Sequence, residues 1–105
     1  MLDEYKRHGF VFSGSLFSEA DMADVDRVTT ALIEGRPAGL AAEDLMNLHM
    51  TDQAIFDWCR KPQVLDFAAS VLGTPDLSIF TSRILCKLPH VGKEIPWHQV
   101  RAIAA

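Results

Sequence analysis

The chain has 105 residues, 49% of them hydrophobic and 23% charged, and a formal net charge of −4. That composition fits one small folded domain and excludes a polar disordered tail, which would be poorer in apolar residues. The acidic balance leaves no basic footprint for nucleic acid or for an anionic lipid surface.

Residues 1–8 read as a short helical lead. The run Gly9-Phe10-Val11-Phe12-Ser13 is rich in β-formers and predicts a strand, ended by Gly14 and Ser15. Ser18 then starts a helix. Glu19 lies in its first turn and Asp21 three residues on, close to a capping box and favourable to the helix dipole. Leu16 or Phe17, just before the cap, is expected to staple onto Met22. Met22, Val25, Val28, Thr29 and Leu32 follow at three-to-four spacing and give the helix one buried face. Gly35 and Pro37 terminate it. Residues 36–51 are the least regular, with at least one helical turn expected between Ala41 and Met50 and with Leu45, Met46 and Leu48 facing inward. Asp52 to Cys59 reads as a short helix whose apolar side is Ile55, Phe56 and Trp58. Pro62 suits the first position of the next helix, where its missing N–H costs nothing. Val64, Leu65, Phe67, Ala68, Val71 and Leu72 form that helix's stripe, and Gly73 closes it. Pro75 and Asp76 make a turn.

Leu77 to Cys86 carries the strongest strand signal, with Ile79 and Thr81 on one face and Phe80, Ser82 and Ile84 on the other. Pro89, Gly92 and Pro96 then mark a loop. The order strand, helices, strand is α+β in character. Strands so far apart in sequence do not make a stable sheet alone, since about three are needed. The chain therefore reads as one side of a larger sheet structure. Phe10, Val25, Val28, Leu32, Val64, Leu65, Phe67, Leu77, Ile79, Phe80 and Ile84 are the expected core.

Cys59 and Cys86 are too few and too far apart for a disulfide framework or a Cys-x-x-Cys zinc site, and read as reduced, partly buried thiols. The polar N-terminus lacks an apolar signal core. No apolar run reaches the ~18–20 residues a membrane span needs, so the expected compartment is the cytoplasm. Of His8, His49, His90 and His98, His49 has a potential ligand, Asp52, three residues on, at helical spacing. That pair reads either as two metal ligands or, as expected here, as a helix start capped by Asp52. There is no Gly-rich phosphate loop, and no Ser/His/Asp or Cys/His arrangement has a spacing signal.

The segment Lys87-Leu88-Pro89, followed by Pro96-Trp97-His98-Gln99, resembles the phytanoyl-CoA dioxygenase family of Fe(II)/2-oxoglutarate-dependent oxygenases. The stretches Tyr5 to Phe12, Leu16 to Met22 and Lys61 to Leu77 are similar to that family's start and to the region before its first core strand. The resemblance covers roughly residues 5–99. It implies a double-stranded β-helix, a jelly-roll of which this chain would supply the N-terminal helices and first strands, with the barrel mostly missing. It also implies hydroxylation of a small organic substrate, with 2-oxoglutarate decarboxylated to succinate. His98 would be the first metal ligand of a His-x-Asp pair, and Lys87 would lie near the 2-oxoglutarate carboxylate. Trp97, ahead of the ligand, is expected to wedge the loop into the core.

The pattern breaks at Val100, which stands where the family has Asp and carries no donor atom. Residues 99–105 add no His, Asp, Glu or Cys. A facial triad needs two imidazoles and one carboxylate, so this chain is expected neither to retain iron and 2-oxoglutarate nor to oxidise a substrate. One hypothesis is a shifted reading frame: with codons chosen to fit, loss of one nucleotide from a Gln-Asp-Pro-Arg-Tyr coding run reads Gln-Val-Arg-Ala-Ile, the residues present at 99–103. Uncovered strand edges imply self-association. The alternative from another class is a small non-enzymatic helical interaction module.

Overall fold

The computed structural model describes residues 1–98. Two of its four α-helices begin where a side chain satisfies a free N–H of the first turn. Helix α1 spans Leu2–His8 and ends on Gly9, in the left-handed region at φ 76°. Helix α2 spans Glu19–Glu34. The Ser18 hydroxyl accepts the Asp21 N–H at 3.1 Å and the Asp21 carboxylate accepts the Ser18 N–H at 3.1 Å, closing a capping box. Helix α3, Gln53–Cys59, is capped by Asp52, whose Oδ1 accepts the Ile55 N–H at 2.9 Å. Helix α4, Pro62–Leu72, has proline at its start and ends on Gly73 at φ 72°. A Cβ on Gly73 would stand 2.9 Å from a methyl of Leu2, so the small residue also lets α1 rest against the end of α4.

The sheet is a single antiparallel pair. Strand β1, Leu45–Met46, faces β2, Arg83–Ile84, with Leu45 opposite Ile84 and Met46 opposite Arg83. Single-turn 3-10 helices flank β1 at Ala42–Asp44 and Leu48–Met50. The helical turn expected between Ala41 and Met50 is thus split by a strand. Asn47 explains why: it takes the left-handed conformation at φ 55° and donates its N–H to the Ser82 carbonyl at 2.7 Å. The Thr81 hydroxyl donates to the Asn47 side chain at 2.8 Å. Leu45 turns inward as expected, and Met46 turns out.

Two sequence expectations about strands are corrected. Gly9 to Ser13 is irregular, with Phe10 and Phe12 stacked edge-on at 5.6 Å and both exposed. Of the strand expected over Leu77 to Cys86, only Arg83 and Ile84 enter a ladder. The cause is the same in both: β-propensity reports fit to a paired, half-buried surface, and no further strand is present among the described residues to supply one. Half-burial still alternates along the segment, at Leu77 and Ile79 and then at Ser82, Ile84, Cys86 and Leu88. The phase slips at Phe80 and Thr81, both exposed, so Phe80 does not share a face with Ser82 and Ile84.

The buried apolar side chains are Val28, Ala42, Leu45, Ile55 and Val71. Of the expected core only Val28 is fully buried; Val25, Leu32, Val64, Phe67, Leu77, Ile79 and Ile84 are half-buried, and Phe10, Leu65 and Phe80 are exposed. Trp58 of α3 ties the helices together. Its indole N–H donates to Asp24 of α2 at 3.0 Å, Phe17 stacks edge-on against it at 5.3 Å, and the Lys61 ammonium lies 4.2 Å from the ring centre. Phe17 is therefore committed to Trp58, and Met22, its expected staple partner, is half-exposed at 52%. The result is a mixed helical chain with a small antiparallel sheet, α+β in character. No helix among the described residues is long and apolar enough to cross a membrane.

Candidate functional site

The residues singled out by motif lie on the segment after β2. Lys87 is exposed at the end of the extended run. The chain turns back over its stem, since a Cβ on Gly92 would stand 3.2 Å from the Lys87 Cβ. The returning segment is fastened to the turn before β1. Glu43, the one buried charged residue described, accepts the Lys93 N–H on Oε1 at 3.2 Å. Its main-chain carbonyl accepts Arg83 Nε at 3.2 Å and Nη2 at 2.9 Å. Asp44 faces the Lys93 ammonium at 3.7 Å and the Arg83 guanidinium at 3.9 Å.

His98 projects from this segment into solvent, with Nδ1 2.9 Å from the Pro96 carbonyl. A carbonyl only accepts, so that contact puts the proton on Nδ1 and leaves the lone pair on Nε2. A metal-binding imidazole is prepared in the same way, by a carbonyl that fixes its tautomer. Trp97 corrects the expectation made for it. At 104% relative exposure it does not wedge into the core, because the described chain offers no apolar surface beside it. Val100, the position that decides the pair, lies outside the described residues. Among the described residues no three His, Cys, Asp or Glu side chains converge as a metal group.

His49 and Asp52 separate. Asp52 is spent on the α3 cap, whereas His49 Nδ1 lies 2.6 Å from Ser82 Oγ. That contact spans 33 positions in the chain, and sequence spacing gave no sign of it. The cap was legible from Asp52 at the head of an apolar run. Cys59 and Cys86 are free and half-buried.

Two apolar clefts lie between the helices and the extended segment. The first, of about 340 Å³, is walled by Phe17, Leu45, Leu48, Trp58, Val64 and Ile84, with Ser82 and Arg83 on its lining. The second, of about 440 Å³, lies between α4 and Leu77 to Ile79, with Arg60 at its edge. Neither is lined by Lys87 or His98. The perturbed carboxylates lie elsewhere, on α2. Hydrogen bonds from the Ser18 N–H and hydroxyl hold Asp21 below the usual carboxylate range, with Lys61 adding to the effect. Asp24 is lowered by Arg27 first and by the Trp58 N–H second. Both serve to cap and to tie helices together.

Compared with protein-family models, with curated proteins and with solved structures, the chain finds no match.

Proposed function

We propose that this chain is the N-terminal part of a phytanoyl-CoA dioxygenase-like fold, and that as it stands it does not perform that family's oxidation. The observation that carries the reading is the state of His98. Its Nδ1 is engaged by the Pro96 carbonyl, so Nε2 is left free for a ligand, at the motif position where the family holds its first imidazole. Lys87 supports it, as a cation at the end of the extended segment where a carboxylate co-substrate would be met.

The donor set does not fit a resident iron. His98 offers one imidazole, and Val100, at the position of the family's carboxylate, offers no donor atom. A single monodentate ligand on an exposed loop holds a divalent metal weakly, and no step of an oxidation follows from it. What the chain supplies to such a fold is a helical layer, α2 to α4, against an extended segment. That segment keeps apolar side chains on its open side, Phe80 and Leu85, as a strand does when it is destined to be covered on both faces. Membrane and nucleic-acid partners stay outside the proposal on charge and composition; the parent's small-molecule substrate stays inside it.

The experiment is succinate release from 2-oxoglutarate with Fe(II) and ascorbate, paired with the nucleotide sequence beyond codon 99. The chain is expected to release no succinate, and the coding sequence is expected to read, in this frame or a shifted one, through further strands carrying a His and an Arg. A coding sequence with no such segment in any frame would overturn the family reading. Iron-dependent succinate release would overturn the inactivity.

A further inference from the structure

We propose that Ser82 and His49 form a nucleophile–base pair that opens an apolar ester: Ser82 Oγ attacks the acyl carbon, and His49 Nδ1 takes the serine proton. Three features of the structure carry this. The first is distance: Oγ and Nδ1 are 2.6 Å apart, within reach for proton transfer, and both residues are half-buried. The second is the hydrogen-bond setting of the oxygen. Ser82 Oγ also receives the main-chain N–H of His49 at 3.4 Å, and its own proton can reach Nδ1 in the tautomer that carries the ring proton on Nε2, the tautomer a base needs. The third is access. Ser82 is on the wall of the 340 Å³ cleft, a volume within the ~300–1,000 Å³ usual for small-molecule sites. Its other walls are mostly apolar, among them Phe17, Leu48 and Trp58, with Thr29, Cys59 and Arg83 also on the lining. Such a cleft takes a short apolar acyl chain.

The chemistry balances without a co-reactant other than water. As the Ser82 Oγ–carbon bond forms, the serine proton passes to His49 Nδ1 and the ester C–O bond breaks. The leaving oxygen departs as an alcohol with that proton, or as an anion when it is a stable phenolate. Where phenolate leaves, His49 first releases its proton to solvent. Water then adds its oxygen to the acyl carbon and gives a proton to neutral His49, which passes it to Ser82 Oγ as the acyl–Oγ bond breaks. The pair lies apart from Lys87 and His98 and does not depend on the oxygenase reading.

The probes are diisopropyl fluorophosphate and 4-nitrophenyl butyrate, applied to the full chain. The expected result is one phosphoryl adduct, mapped to Ser82 by mass spectrometry, and slow release of 4-nitrophenolate. Ser82→Ala should abolish both. His49→Gln keeps a hydrogen-bonding partner for Ser82 but removes the base, and should slow both about 100-fold or more while leaving the circular dichroism spectrum unchanged. A merely structural serine–histidine contact gives no adduct on the unaltered chain, and that outcome overturns the proposal. So does an adduct on any other residue, or labelling of Ser82 at an equal rate in His49→Gln.

Discussion

The main-chain N–H of Lys93 donates to a carboxylate oxygen of Glu43 at 3.2 Å, across 50 positions of sequence. Glu43 is buried, and its carbonyl is at the same time gripped by the Arg83 guanidinium of β2. One residue thus fastens both the ladder and the segment that presents His98. Replacing Glu43 by Ala should release the segment and lower stability by about 1–3 kcal/mol, the cost of unpairing buried polar groups. Hydrogen exchange should show the Lys93 amide losing its protection while amides of α2 keep theirs. Equal loss in both places would mean that Glu43 does not anchor the segment selectively.

The two tryptophans should behave in opposite ways. Trp58 is stacked on Phe17 and bonded to Asp24, whereas Trp97 is fully exposed. Trp58→Ala should cost about 3 kcal/mol, the low end for a large aromatic because its site is half-buried. Trp97→Ala should change stability by less than about 0.5 kcal/mol. Urea unfolding of each variant checks this, and a destabilised Trp97→Ala would place that ring in a core after all.

Acid should weaken the fold through α2. Asp21 and Asp24 are held below the usual carboxylate range, Asp21 first by the Ser18 N–H and Asp24 first by Arg27. A carboxylate depressed in the folded state contributes stability above its unfolded value and loses it as pH falls through the folded value. Thermal melts from neutral pH downward should therefore hold level and then drop below about pH 4. In Asp21→Asn/Asp24→Asn that last drop should be shallower. An acid limb of unchanged steepness in the double variant would place the titrating groups elsewhere.

Apolar side chains left in solvent should make the chain associate. Phe12 is 83% exposed, Phe80 80% and Leu85 60%, and the edge of β2 away from β1 is unpaired among the described residues. Sedimentation should show weight-average mass rising with concentration, and Phe80→Ser/Leu85→Ser should suppress the rise. A cooperative monomer at all concentrations would favour the non-enzymatic interaction module.

Local signals in the sequence located the helices. Ser18 with Asp21, Asp52 ahead of Ile55, Pro62 and Gly73 are each read within one turn of chain, and each sits at the helix end expected. The strands were not legible to the same degree. Leu77 to Cys86 has the composition of a strand, but a ladder needs a partner, and the partner found is two residues of a stretch read as helical, Leu45 and Met46. The candidate residues divide along the same line. His98 and Lys87 were singled out by short motifs, whereas Ser82 meets His49 only because β2 pairs with β1, which no spacing rule reveals. Burial was overread for Phe10, Phe80 and Trp97 because hydrophobicity states what a side chain would gain by being covered, and not whether a covering surface is there.

His98 is proposed to occupy the first position of a His-x-Asp metal pair whose second position is Val100. The most direct measurement is an anaerobic Fe(II) titration of the full chain, of His98→Ala and of Val100→Asp. The unaltered chain should bind weakly, and Val100→Asp should tighten binding by about tenfold or less, because one added carboxylate without a supporting shell is not preorganised. That gain should vanish when His98→Ala is added. Binding that ignores both positions, or tight binding that survives His98→Ala, would contradict it.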